Sequence, residues 1–355
     1  MTQSSHTTTD SALNLTAVAE FLRAALPAES DVGDLTASQI IGGKSNLTYR
    51  VTDGVHRWIL RRPPHGAVLH SSHDVGREYR VMSALHGSAV PVPAVVADCP
   101  DPDVIGAPFY VMDQVDGVVL NSRDLVFTLS DTERLSLGNT LVDTLVALHE
   151  LDPAEVGLDT LGKPAGYLDR QLRRWVRQFE AIKVRELPGV GALADKLART
   201  MPEHQGASIV HGDYRIDNVI TAPDSPGDIA AVLDWEMATL GDPLADIGIL
   251  VSFWDETGQA QNPITNGLTA FTGFPTANEV VQRYAEQRNI NSSLVDWYRV
   301  FGLWKVAVIL EQIYVRHHRG LTVGAGFDDV EAMPSILLDR ASEIAASSSL
   351  AALRR

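Results

Sequence analysis

Apolar positions recur along this chain with two periods, and the change from one to the other divides it. After a polar stretch, residues 16–25 carry Val18, Phe21, Leu22 and Ala25 on one helical face, with Thr16 as the expected N-cap. The period then drops to two. Residues 37–42, 46–52 and 57–62 are short and rich in β-branched and aromatic residues, and Asp53-Gly54 between the last two is a hairpin signal. Helical spacing returns over 72–87, with Val75, Tyr79, Met82 and Leu85, and two more strands are expected near 94–98 and 108–113. Beyond Asp116-Gly117 the helical period dominates: 131–150, 167–184, 190–201, 244–254, 276–288, 293–318 and 329–346. Two strand-like pieces, 208–210 and 230–233, interrupt it. The pattern predicts an α+β fold: residues 1–12 a loose tail, 13–115 a β-rich small lobe with an N-terminal helix, and 116–355 a helical large lobe.

Charge and composition narrow the function. The 355 residues carry 29 basic and 45 acidic side chains, a net charge of −16. A general nucleic-acid or anionic-membrane binder needs a basic surface, so neither partner is expected. The one cysteine, Cys99, allows no intrachain disulfide and suits a reducing cytoplasm, the expected location. No apolar run reaches the roughly 20 residues of a membrane span, and the start of the chain lacks the basic and apolar regions of a signal peptide.

The chemistry is concentrated between the two strand-like pieces. His211-Gly212-Asp213-Tyr214-Arg215-Ile216-Asp217-Asn218 is followed, after an apolar strand, by Leu233-Asp234-Trp235-Glu236. Phosphoryl transfer needs a carboxylate to orient a hydroxyl nucleophile. It also needs an amide oxygen and a second carboxylate to hold magnesium on the nucleotide phosphates. Asp213 takes the first role, and Asn218 and Asp234 the second. His211 is expected as a buried, hydrogen-bonded support, Asp246 as a brace of the catalytic loop near a helix start, and Asp242 as a turn residue. Glu236 stands near enough to the metal aspartate to reach the ion through water.

The small lobe supplies matching parts. Gly42-Gly43-Lys44-Ser45-Asn46 joins two strands, and its glycines would let backbone amides approach phosphates, with Ser45 or Asn46 adding a side-chain bond. It is not a Walker loop, because the flanks are strand-turn-strand. On Trp58-Ile59-Leu60-Arg61-Arg62, alternation sends the two arginines to opposite faces. Arg61 is the phosphate clamp, paired with Glu78 of the following helix.

These residues resemble the aminoglycoside phosphotransferase/choline-kinase-like superfamily over about residues 30–320. The strongest marks are His211-Gly212-Asp213-x4-Asn218 and Leu233-Asp234-Trp235. More narrowly, Leu60-Arg61-Arg62-Pro63-Pro64, Arg77-Glu78-Tyr79-Arg80-Val81-Met82, Pro108-Phe109-Tyr110-Val111-Met112 and Leu233 to Gly241 are similar to the kinase-like domain fused in some animals to acyl-CoA dehydrogenases. The resemblance implies a bilobal protein-kinase-like fold and Mg-ATP-dependent phosphorylation of a small-molecule hydroxyl, for the narrower group that of a hydroxyacyl-CoA. It implies adenine contacts with the backbone around Met112, where residues 109–113 lead into the hinge. Three alternatives stay open: a catalytically silent nucleotide or acyl-CoA binding module, an aminoglycoside or choline-type kinase, and a hydrolase that uses water as acceptor. The basic run Arg170–Arg177 would suit an anionic acceptor, while the overall acidity would suit a cationic one. The C-terminal helix is expected either at a homodimer interface or on the large lobe.

Overall fold

The computed structural model describes residues 13–40, 46–64, 74–258, 262, 264–320 and 330–355. The chain forms two compact units. The first comprises the residues up to Asp116 together with Ala230–Ala238, and the second Gly117–Ile229 and Thr239–Arg355.

In the first unit, α1 (Leu15–Ala25) buries Val18, Ala19 and Leu22. Its N-cap is Asn14 rather than Thr16: the Asn14 side chain accepts the Ala17 N–H, an acceptor role that Asn fills at least as well as Thr. Strands β1 (Thr36–Ile40), β2 (Leu47–Thr52) and β3 (Arg57–Arg62) precede α2 (Val75–Leu85), and β4 (Val95–Cys99) and β5 (Phe109–Asp113) follow it. They make one antiparallel sheet in the order β1-β2-β3-β5-β4. The β2–β3 turn is held by Asp53, whose Oδ1 accepts the Val55 and His56 N–H groups, and Gly54 supplies a φ of 91°. Strand alternation then sorts the side chains. Trp58, Leu60, Phe109 and Val111 join Val18 and Leu22 of α1 in one apolar core. Arg61 pairs in register with Tyr110, and Ile59 with Met112, so these four share the opposite face. Cys99 is buried and forms no disulfide, its Sγ 3.6 Å from the Asp101 carbonyl.

The second unit begins with β6 (Val118–Val119), α3 (Arg123–Phe127), α4 (Asp131–Glu150), α5 (Tyr167–Ile182) and α6 (Val190–Arg199). Next come β7 (Ser208–Val210) and β8 (Val219–Thr221), before β9 (Ile229–Val232) carries the chain back into the first unit. After β10 (Thr239–Gly241) the chain is helical: α7 (Leu244–Ser252), α8 (Ala277–Arg288), α9 (Val295–His318), α10 (Met333–Ser347) and α11 (Ala351–Arg354). Capping boxes start α4 (Ser130 with Glu133) and α8 (Thr276 with Glu279). Every residue of α7 is buried. It packs along α9 because Gly248 lets the helices close up; a Cβ there would lie 2.6 Å from the Tyr298 Cβ. Helix α9 itself buries Trp297, Tyr298, Phe301 and Trp304. Short antiparallel pairings, β7 with β10 and β6 with β8, frame the polar loop. Among the described residues no helix is long and apolar enough to cross a membrane.

Candidate active site

In the first unit the face opposite the apolar core carries a charged cluster. Arg61 Nη1 lies 2.9 Å from Glu78 Oε2, and its Nη2 lies 3.4 Å from Asp234 Oδ1. Glu78 is fully buried on α2, where it also accepts from Tyr110 Oη at 2.9 Å and from Asn46 Nδ2 at 2.9 Å. Burial pushes the Glu78 carboxyl up, against the pull of Arg61. Burial works against the Arg61 charge too, but Glu78, the neighbouring Tyr110, Asp234 and Glu236 outweigh it and hold the guanidinium protonated. Arg62 goes to the other face, fully buried, donating to the Pro63 and Ile105 carbonyls.

Asp234 sits in the segment that returns to this unit, in the left-handed region at φ 66°. That conformation is costly for a non-glycine residue and is often found where a carboxylate must be aimed. The segment is tied to α2, where Arg77 Nη1 donates to the Ala238 carbonyl at 2.8 Å. Glu78, Asp234 and Glu236 each present a carboxylate oxygen within 4.8 Å of the others. Asn46 Nδ2 also approaches Glu236 Oε2 at 3.5 Å, and its buried Oδ1 has no hydrogen-bond partner among the described residues. An all-oxygen donor set with an orphaned amide oxygen fits a hard divalent cation such as magnesium.

The second unit holds the loop between β7 and β8. All three β7 residues are buried, so the loop leaves a rigid strand. Asp246, fully buried in the first turn of α7, accepts the His211 N–H (2.6 Å) and the Gly212 N–H (2.8 Å) on its two oxygens. Burial opposes its charge, but the His149 side chain at 3.2 Å, His211 and the Gly212 amide hold its carboxyl below the usual range. Gly212 takes φ 86°, which lets the chain turn there. His211 Nδ1 accepts the Asp213 N–H at 3.2 Å. Asn218 Nδ2 donates to the Asp213 carbonyl at 2.8 Å and to Asp213 Oδ2 at 3.2 Å, which leaves the Asn218 oxygen as the atom for a cation. Arg215 Nε lies 3.2 Å from Asp213 Oδ1. From below, Lys305 of α9 donates to the Gly212 carbonyl at 3.1 Å and stands 5.8 Å from the Trp175 ring centroid. Burial pushes the Lys305 ammonium pKa down, while Asp213 and Asp246 pull it up.

A profile of the phosphotransferase enzyme family (APH) matches residues 36–276. The chain belongs to the phosphotransferase enzyme family. Acyl-CoA dehydrogenase family member 11 of Homo sapiens is 34% identical over 292 residues, covering 81% of this chain and 37% of that protein. The chain thus spans little more than a third of such relatives, and the match is to their kinase-like domain. A solved Ralstonia eutropha structure, assigned by name to the aminoglycoside phosphotransferases, has 30% identity and a TM-score of 0.79, covering 95% of this chain and 99% of that one. A thermostable variant of aminoglycoside phosphotransferase APH(4)-Ia, solved with AMP-PNP and hygromycin B, shares the fold at TM-score 0.61 and 16% identity, over 94% of this chain and all of that one. The mixed helix-and-sheet, kinase-like fold expected from the sequence is therefore the one found.

Within this phosphotransferase, the residues singled out from the sequence fall into three groups. Asn46, Arg61, Glu78 and Asp234 come together in the first unit, and Asp213 and Asn218 in the second. Met112 shares the sheet face of Arg61 but makes no part of the polar cluster; it is buried in β5 between Ile59 and Val95. Gly42, Gly43, Lys44 and Ser45 lie outside the described residues. Asp242 is more than a turn residue: fully buried, it accepts the Gln205 and Leu244 N–H groups and the Tyr298 hydroxyl. Sequence reasoning missed Tyr110, Arg215 and Lys305. The signal for Lys305 was visible, a lone lysine in the apolar run Phe301–Leu310. A cation there must find a buried acceptor, since burying it unpaired is costly.

Proposed function

We propose that this phosphotransferase uses Mg-ATP to phosphorylate a hydroxyl of a small molecule, with Asp213 as the base. The observation that carries this reading is the pinned loop: Asp246 takes the consecutive His211 and Gly212 amides and Lys305 the Gly212 carbonyl that follows them, so the Asp213 carboxylate is held before any substrate arrives. Asp213 accepts the proton of the acceptor hydroxyl as its oxygen attacks the terminal phosphorus, and the bond to the bridging oxygen of ADP breaks. Asn218, through its oxygen, and Asp234 would each serve as magnesium ligands, with Glu236 beside Asp234. The ion, when bound, neutralises charge developing on the phosphate oxygens. Arg61, steadied by Glu78, clamps the nucleotide phosphates.

For the acceptor we favour a hydroxyacyl-CoA. The support is the likeness to proteins named acyl-CoA dehydrogenases. Helix α5 adds to it, burying Leu172, Trp175 and Phe179 while leaving Arg174 and Arg177 exposed to meet an anion; Arg173, also exposed, pairs with Asp169. The test is Mg-dependent ADP production by wild type and Asp213→Ala over a panel of hydroxyacyl-CoAs, choline-like amines and aminoglycosides. Asp213-dependent release with hydroxyacyl-CoAs alone is expected. Release with another acceptor class would keep the kinase and overturn the acceptor. Release that no acceptor stimulates would point to hydrolysis, and nucleotide binding without any turnover to a silent binding module.

A further inference from the structure

Away from the catalytic loop, the second unit contains a cleft of about 570 Å³ bounded by α7, α8, the start of α9 and the end of α10. Arg299, one turn into α9, is among its lining residues. Its Nε is buried without a hydrogen-bond partner, and its guanidinium makes no hydrogen bond or ion pair among the described residues. This sets it apart from the other cations nearby. Arg340 pairs with Asp255 at 3.1 Å and donates to the Trp254 carbonyl, and Lys305, also on α9, has the Gly212 carbonyl.

The acidic groups around Arg299 are engaged elsewhere. Asp255 accepts from the Asn262 and Gly267 amides, the Thr265 hydroxyl and Arg340. Glu256 accepts the Ala277 N–H. Asp296, which also lines the cleft, is taken by the Ser348 hydroxyl at 2.6 Å and by Ser349. Burial, with a smaller push from Arg340, brings the Arg299 pKa down to about 10, so it still carries its charge at neutral pH. Asp296, Glu256 and Asp255 pull the other way from a distance, so the half-buried charge has carboxylates near it but no direct partner among the described residues.

The rest of the lining suits an oxyanion. Ser292, Asn278 and Gln282 present a hydroxyl and two amide groups that make no hydrogen bond among the described residues. The first turn of the 24-residue α9 adds the positive end of a helix dipole. A cleft of this volume is in the range of small-molecule sites. We propose that it binds the phosphate group of a small molecule, with Arg299 as the counter-charge and Ser292, Asn278 and Gln282 as hydrogen-bonding partners. The site does not depend on the catalytic assignment, since none of its residues belongs to the catalytic loop.

The experiment is calorimetric titration of wild type, Arg299→Gln and Arg299→Lys with inorganic phosphate and with glycerol 3-phosphate, at constant ionic strength. Thermal melts in chloride and in phosphate buffer run in parallel. Wild type should bind one phosphate group saturably, and Arg299→Gln should bind it roughly tenfold more weakly or worse. Arg299→Lys should fall between, because it keeps the charge and loses the fork. In chloride, Arg299→Gln should melt close to wild type, because the guanidinium has no hydrogen bond to lose among the described residues; in phosphate it should lack the rise wild type shows. Equal affinity for the two ligands would identify free phosphate as sufficient, and tighter binding of the ester a phosphorylated metabolite. Unchanged affinity in Arg299→Gln, or no saturable binding to wild type at tens of millimolar (about a hundred times weaker than a typical metabolite site), would overturn the proposal.

Discussion

The two polar clusters are built in opposite ways. In the first unit, Arg61, Glu78 and Asp234 are held by one another, side chain to side chain, and the Asp234 side chain keeps 32% of its surface exposed. In the second, Asp213 is placed by the backbone: a buried carboxylate from α7 and a buried ammonium from α9 grip the peptide groups on its N-terminal side. Carboxylates gathered around one cation have a balance of charge that a metal or a phosphate can change. A loop pinned through its amides does not rearrange when such a ligand arrives. The difference separates the part suited to receive a charged ligand from the part that must already be in position.

That contrast can be broken at several points. The largest expected effect is at Asp213. Asp213→Asn should cut turnover by roughly two to four powers of ten, with nucleotide affinity nearly intact, as steady-state kinetics and nucleotide titration would measure. Parallel loss of binding would mean that Asp213 serves the ligand and not the reaction. Next is the clamp itself. Asp246→Ala strips an acceptor from two buried amides and from His149, and should destabilise the second unit by about 3–5 kcal/mol in denaturant titration. A loss below about 1 kcal/mol would show that the loop holds its shape without the carboxylate.

Asp234→Ala should abolish Mg-dependent nucleotide binding while leaving the melting temperature close to wild type, because this carboxylate is partly exposed. Retained Mg-dependent binding would assign the metal to other oxygens. Lys305→Met should lower kcat with little change in the nucleotide KM and cost about 1–3 kcal/mol of stability, since the buried Gly212 carbonyl loses its donor. A change confined to KM would remove Lys305 from the positioning of Asp213.

The smallest test is one of pH. The Asp246 carboxyl is held below its ordinary value, so its contribution is fully present above about pH 4 and is lost as the pH falls through its folded value. The stability gap between wild type and Asp246→Asn should be constant from pH 7 to 5 and close below about pH 4. A gap that stayed open below about pH 3 would show that the Asp246 charge is not what stabilises the loop.

Much of the fold was legible because strong periodicity survives burial. The helix expected over 131–150 is α4, Asp131–Glu150, bounded by a capping box spelled out in Ser130-x-x-Glu133. Alternation along β3 separated Arg61 from Arg62, and the two do occupy opposite faces. The short strands β6, β8 and β10 escaped notice, since two or three residues carry no measurable period. Asp242 was only partly legible for a related reason. An acidic residue before proline looks like a turn, and only the distant Gln205 and Tyr298 reveal it as a buried hub.

What the chain determined by itself is local: the order of helices and strands, the residue types that phosphoryl transfer needs, and their spacing through the loop from His211 to Asn218. The tertiary structure decided which groups complete them. Glu236 gathers with Glu78 and Asp234 although 158 positions separate Glu236 from Glu78, and Lys305 reaches Gly212 across 93. Such pairings obey no sequence period. They follow from the cost of burying a charge without a partner, and the partner is whatever the packing of distant helices and strands brings within reach.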